Sequence, residues 1–125
     1  MNKKHLLFVC TSGMDRSPCA ANLFRFSKEH EAKFAGISPG SEVLLTKEAV
    51  QWADIIFTME PVHQAFILTH FKEEFYGVGG TIKVDSKKRQ IILLDINNNF
   101  KRHDRALEET LVIKLQKEGF VNIKK

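Results

Sequence analysis

Two cysteines, Cys10 and Cys19, are all that this chain of 125 residues holds. A framework of several disulfides is therefore excluded, and the length suffices for a hydrophobic core that needs neither cross-links nor a structural metal. Long apolar runs are lacking too. After Asn2-Lys3-Lys4-His5, only five or six apolar residues precede Thr11 and Ser12, too few for a signal-peptide core or a membrane span. The expectation is a cytoplasmic protein without membrane association, in a reducing compartment that keeps both cysteines as thiols. Repeats, low-complexity tracts and linkers are missing, so residues 1–125 read as a single domain. A strong charge of one sign is missing as well, the formal net charge being +4. A modest basic excess reads first as a solvated surface carrying more Lys than Glu, with an acidic partner, a phosphorylated protein or nucleic acid, as the functional alternative. The basic residues are scattered, however, with Lys83, Lys87, Lys88 and Arg89 as one cluster and Lys124-Lys125 as a tail. They make no aromatic-interleaved stripe, and no nucleic-acid partner is expected.

What is present is concentrated in Cys10-Thr11-Ser12-Gly13-Met14-Asp15-Arg16-Ser17. A thiol and a guanidinium stand six positions apart, between an apolar run and a segment with helical signals. Such a loop can turn the backbone N–H groups of Thr11 to Arg16 around a tetrahedral oxyanion, with the helix N-terminus adding partial positive charge. Arg16 offers a planar, always-charged fork for two phosphate oxygens. The same surroundings favour a thiolate, so Cys10 is the candidate nucleophile and Thr11, Ser12, Gly13, Met14, Asp15 and Arg16 the candidate phosphate-binding loop. The plainer alternative, a small buried hydrophobe at a strand end, does not explain the Arg16-Ser17-Pro18 that follows.

Strand-like and helix-like segments alternate along the rest. Leu6 to Val9 is an apolar run, and Ser17-Pro18 reads as an N-cap and first turn, followed by an apolar face of Ala20, Leu23 and Phe24 that runs toward Lys28 to His30. Phe34-Ala35 is a short strand before the Ser38-Pro39-Gly40 turn. Thr46 caps a helix with Ala49, Val50 and Ala53 inside. Ile55 to Thr58 is a strand, and Pro61 opens a helix with Val62, Ala65, Phe66 and Thr69 on one side. Phe75 to Gly80 reads as a glycine-rich loop. Ile91 to Leu94 is a fourth apolar run, and a last helix carries Leu107, Leu111 and Leu115 before Gly119. Short, continuously apolar strands between helices imply a parallel sheet covered on both faces. Ligands then sit at the carboxyl ends of the strands, where Cys10 and Asp95 both fall.

Leu7-Phe8-Val9-Cys10, Arg16-Ser17-Pro18 and Ala20-Ala21-Asn22-Leu23-Phe24 together resemble the low-molecular-weight protein tyrosine phosphatase family. So do Ala35-Gly36-Ile37-Ser38-Pro39, Trp52 to Glu60, and Ile91 to Ile96, the last closest to a shorter bacterial branch. The resemblance implies an α/β three-layer sandwich with a four-stranded parallel sheet in the order 2-1-3-4. It implies a phosphomonoester hydrolase that uses no metal or other cofactor and forms a phosphocysteine at Cys10. Arg16 would hold the equatorial oxygens and Ser17 would hydrogen-bond the sulfur. Asp95 would serve as general acid and then base. The implied partner is a phosphotyrosine-containing protein or a small aryl phosphate.

The chain departs from the family in several places. Gly13 replaces a usual asparagine, and glycine keeps the left-handed backbone while losing the side-chain bonds. Asp15 stands where some relatives have a second cysteine; pointing inward it would repel phosphate, and the expectation is that it points outward. Ile96 replaces the proline of the acid loop, Phe100 is the nearest aromatic, and Asn98 stands where the shorter branch often has a second carboxylate. These departures support an alternative: a phosphate- or phosphoprotein-binding pseudo-phosphatase with an impaired acid. Arsenate reduction on this fold needs two more cysteines some seventy to eighty residues on, and none follows Cys19. Asp95 also has a plain reading as a polar strand terminator. Cys19 reads as a packed residue, with a disulfide to Cys10 as its oxidised alternative. His63 and His70 read as surface residues, and Trp52 and Met59 as core or pocket lining.

Overall fold

The computed structural model describes residues 3–12, 15–72, 90–97 and 104–120. Gly13, Met14, the Phe75 to Gly80 stretch, the Lys83 to Arg89 cluster, Asn98, Phe100 and the Lys124-Lys125 tail lie outside these residues. In chain order come β1 (Lys4–Cys10), α1 (Arg16–Asn22), β2 (His30–Gly36), α2 (Lys47–Trp52) and β3 (Ile55–Thr58). They are followed by α3 (Pro61–His70), β4 (Gln90–Leu93) and α4 (Arg105–Lys117).

The strands form one parallel sheet in the order β2-β1-β3-β4. β1 is central, which is why Leu6 to Val9 is uninterruptedly apolar: both of its faces are covered. Leu6, Phe8 and Cys10 join Ala20 from α1, Leu23 and Phe24 just after it, and Leu107, Leu111 and Leu115 from α4 in one buried cluster. Leu7 and Val9 meet Val50, Ala53 and Ile67 on the opposite face. Phe8 stacks on Phe57, with ring centroids 4.9 Å apart. Among the described residues no helix is long and apolar enough to cross a membrane.

Local chemistry explains several boundaries. Thr46 Oγ1 accepts a hydrogen bond from the Ala49 N–H at 3.1 Å and caps α2. Asp104 does the same for α4 through the Ala106 N–H at 2.9 Å, and Gly119, at φ 96°, ends that helix in the left-handed region open to glycine.

Three expectations are corrected. Ser17 is not the cap of α1; Asp15 occupies that position without a side-chain cap bond, and Ser17 lies inside the first turn. α1 also stops at Asn22, short of Lys28, while β2 begins at His30 and is longer than Phe34-Ala35. As an edge strand, β2 half-buries alternate residues over its first half, a pattern weaker than a continuous apolar run. Finally, the inner face of α3 is His63 and Ile67; Val62 is 56 % exposed, and Ala65 and Thr69 are exposed as well. Of the predicted side only Phe66 packs on the core, half-buried, because a polar residue, His63, takes the inner position with partners of its own.

Thr58, at the end of β3, is fully buried, and its hydroxyl has no hydrogen-bond partner among the described residues. A buried hydroxyl left unpaired costs free energy that an isosteric methyl does not. Thr58→Val is therefore expected to raise unfolding stability by about 1 kcal/mol, read from urea denaturation. A loss of stability would show that the hydroxyl is bonded after all.

Candidate active site

β1 has β2 on one side and β3 on the other, so the chain winds in opposite directions from it. A crevice opens at the carboxyl ends of strands at such a switch point. Cys10 ends β1 and is buried. Its Sγ lies 3.0 Å from Ser17 Oγ, and the same Oγ lies 3.4 Å from the Ala35 carbonyl oxygen. One hydroxyl proton serves two arrangements. Facing a thiol, Ser17 accepts from sulfur and donates to Ala35; facing a thiolate, it donates to sulfur. No disulfide joins the two cysteines, and Cys19 is half-buried against the α1–α4 cluster.

The backbone after Cys10 breaks strand alternation. The Val9 carbonyl accepts from the Met59 N–H on the β3 side, at 3.1 Å. The next three carbonyls all turn the other way: Cys10 accepts from Ile37 N–H (3.1 Å), Thr11 from Ser38 N–H (2.8 Å) and Ser12 from Glu42 N–H (3.3 Å). In a trans peptide the N–H points opposite to the C=O. The N–H groups of Thr11 and Ser12 are thereby turned together, away from the segment 37–42. Consecutive amides aimed the same way make a concavity for an anion.

Arg16, the first residue of α1, is 2 % exposed. Its Nη1 donates to Glu60 Oε1 in an ion pair and to the Ile96 carbonyl at 2.8 Å; Nη2 donates to Thr11 Oγ1 at 3.4 Å. The Nε–H and the second Nη2–H have no partner among the described residues. They form the side-on edge of the guanidinium, the one suited to two oxygens of a tetrahedral anion. Glu60 escaped the sequence reading. The signal was available in Glu60-Pro61-Val62-His63, an acidic residue just before a proline-initiated helix with a hydrogen-bonding residue three positions on.

His63 is a further correction, since it is fully buried rather than on the surface. Its Nδ1 accepts from the Glu60 N–H at 3.0 Å, and its Nε2 lies 2.9 Å from Thr11 Oγ1. Burial pushes its pKa down to about 4, with the Arg16 guanidinium adding to the shift and Glu60 opposing it. His70 is exposed, with its ring stacked on Phe66.

Asp95 follows β4 in a left-handed conformation, φ 58°, and its side chain is exposed. The buried Leu94 and Ile96 flank it, their N–H groups donating to Thr58 (2.8 Å) and Met59 (2.7 Å) carbonyls. Its carboxylate makes no hydrogen bond to Cys10 or Arg16 among the described residues, although the adjacent Ile96 carbonyl holds Arg16. Asp15 is half-buried at the start of α1.

The sheet order and the cysteine loop at the switch point define a doubly wound α/β fold of one particular type. No protein-family model matches the chain, and no curated protein matches it. Solved structures do match. The low-molecular-weight protein tyrosine phosphatase from T. tengcongensis gives a TM-score of 0.62 at 19 % identity, over 93 % of this chain and 99 % of that one. The YwlE arginine phosphatase from Geobacillus stearothermophilus gives 0.57 at 21 % identity, over 98 % and 99 %. The tyrosine phosphatase Wzb from Escherichia coli K30, in complex with phosphate, gives 0.57 at 19 % identity, over 92 % and 93 %. The chain has the low-molecular-weight protein tyrosine phosphatase fold, in the strand order expected from sequence.

The lowered pKa of His63 has a consequence for stability. Above pH 6.5 the imidazole is neutral in both folded and unfolded chains. As pH falls from 6.5 toward 4, the unfolded state takes up a proton that the folded state refuses, so stability is lost across that window. The stability difference between wild type and His63→Gln should therefore shift against wild type between pH 7 and pH 4.5 in urea titrations. A difference independent of pH would contradict the shift.

Proposed function

We propose that this chain is a phosphomonoester hydrolase that works through a phosphocysteine at Cys10. The observation that carries the reading is a buried sulfur 3.0 Å from the Ser17 hydroxyl, beside an Arg16 guanidinium held on two sides by other protein groups. The thiolate of Cys10 would attack phosphorus as the bond to the leaving oxygen breaks. Asp95 would give that oxygen its proton. Water would then attack the phosphocysteine, losing a proton to Asp95, and the sulfur would depart stabilised by the Ser17 hydroxyl. Amides of the loop Thr11, Ser12, Gly13, Met14, Asp15 and Arg16, with the Arg16 fork, would hold the three equatorial oxygens.

The substrate class is a phosphotyrosine-containing protein or a small aryl phosphate, in the cytoplasm, with residues 1–125 acting as one catalytic domain. Structures of similar fold include tyrosine phosphatases and an arginine phosphatase, so phosphoarginine belongs beside phosphotyrosine in a substrate panel. A phosphate-binding pseudo-phosphatase is the second reading. It is favoured by the absence of any bond from the Asp95 carboxylate to Arg16 or Cys10 among the described residues.

Cys10→Ser should abolish hydrolysis while keeping part of the affinity for vanadate, and Arg16→Ala should remove both. Steady-state rates and vanadate inhibition read the outcome, and hydrolysis surviving in Cys10→Ser would reject the mechanism. Asparagine tolerates a left-handed backbone, so Asp95→Asn should preserve the fold. Its rate on phosphotyrosine should fall at least ~10-fold, the low side of what acid catalysis contributes, with little change on an aryl phosphate whose leaving group needs no proton. An unaltered phosphotyrosine rate would move the acid role to another residue; no phosphotyrosine turnover by wild type, with vanadate still bound, would favour the pseudo-phosphatase.

A further inference from the structure

We infer that His63 is a positioning residue of the phosphate site, acting through Thr11 to steady the Arg16 guanidinium and to aim the Thr11 hydroxyl proton at a phosphoryl oxygen of the bound ester. The inference rests on the phosphatase reading above. It begins with the Glu60 N–H, which donates to Nδ1 of His63 at 3.0 Å. A neutral imidazole whose Nδ1 is an acceptor carries its proton on Nε2. That proton lies 2.9 Å, heavy atom to heavy atom, from Thr11 Oγ1, so His63 is the donor and Thr11 the acceptor.

Thr11 Oγ1 has two lone pairs and one proton. One lone pair receives His63 Nε2–H, and the other faces Arg16 Nη2–H at 3.4 Å. Both acceptor positions being taken by donors, the hydroxyl proton has to point away from both. Thr11 is exposed, its carbonyl is tied back to Ser38, and its neighbour Cys10 is the proposed nucleophile. A hydroxyl in this place donates toward an anion above the sulfur, next to the side-on edge of Arg16. A charged imidazolium beside Arg16 would add a second buried cation. The neutral ring orients the hydroxyl without that cost.

His63 also serves the first turn of α3, through Glu60 N–H, and the test separates the two jobs. Asparagine reproduces the Nδ1 position and keeps an acceptor for Glu60 but loses the donor to Thr11; glutamine reproduces the Nε2 position and keeps the donor. With p-nitrophenyl phosphate as substrate and vanadate as inhibitor, Thr11→Val and His63→Asn should each lower kcat/KM about tenfold and weaken vanadate, the scale of one hydrogen bond to a charged group. The double variant should be no worse than Thr11→Val alone, since both remove one relay. Thr11→Ser and His63→Gln should each rescue the rate to within about threefold of wild type, His63→Gln with a lower urea midpoint.

An active wild type whose His63→Asn loses less than about threefold, or whose two losses multiply in the double variant, would overturn the inference and leave the phosphatase reading standing. A wild type that neither hydrolyses p-nitrophenyl phosphate nor binds vanadate would overturn both. Should His63→Asn fail to fold, a Thr11→Val enzyme with the wild-type rate decides against the inference by itself.

Discussion

A guanidinium almost sealed from water is the constraint around which this protein is arranged. Burying a cation costs several kcal/mol unless oxygen atoms meet its protons. Arg16 is met by three: Glu60 from the β3–α3 junction, the Ile96 carbonyl from the segment after β4, and the Thr11 hydroxyl from the end of β1. These groups are distant in sequence and come together only because the strand order places the ends of β1, β3 and β4 side by side. The fold thus supplies the partners, and the partners fix the fork that would meet phosphate.

The second constraint is a change of backbone direction. In a regular strand successive carbonyls alternate sides, and up to Val9 β1 obeys that rule. From Cys10 to Ser12 three carbonyls turn to one side because the segment 37–42 offers its N–H groups there. The amides that follow are turned out together, away from those partners. The geometry of the loop after Cys10 is therefore made by two segments, the second contributing the N–H groups of Ile37, Ser38 and Glu42 and the Ser41 hydroxyl, which donates to the Thr11 carbonyl at 3.4 Å. A proline at Ser38 or Glu42 would break the pattern by deleting a main-chain donor.

Much of this was legible in the residues. Thr46 announces its cap, Ile55 to Thr58 its buried strand, and Leu107, Leu111 and Leu115 one face of a helix, because each signal is local and apolar periodicity carries it. The Cys10–Arg16 spacing and Ser17-Pro18 marked the loop for a similar reason. What failed depends on partners distant in sequence. Ser17 reads as a cap until a sulfur seven residues back is seen to engage its hydroxyl. His63 reads as a surface residue until Thr11 and the Glu60 N–H are placed beside it, and of the apolar residues assigned to one side of α3 only Phe66 packs on the core. Glu60 has no periodicity to betray it; its local signal is a capping box at the start of α3, and its pairing with the buried Arg16 depends on a partner far away in sequence.

In the proposed mechanism, two carboxylates near the site would divide two roles through their surroundings. Glu60 is bound to the guanidinium, and an acid so engaged cannot hand over a proton without breaking the pair that makes burial of Arg16 tolerable. Asp95 has no such bond among the described residues, and its placement comes from the backbone instead. Leu94 and Ile96 are anchored in the core on either side, and the left-handed turn between them leaves the carboxylate exposed to solvent. A general acid has to be held near the leaving group yet remain able to exchange its proton with water, which a backbone-anchored, solvent-facing side chain satisfies. On that proposal, the ~1 kcal/mol or more that a left-handed non-glycine residue costs at this position would be strain kept at a working group, and Asp is among the few residues that bear it cheaply. Ile96 contributes a buried side chain and the carbonyl that steadies Arg16, so the segment after β4 is held by packing and hydrogen bonding.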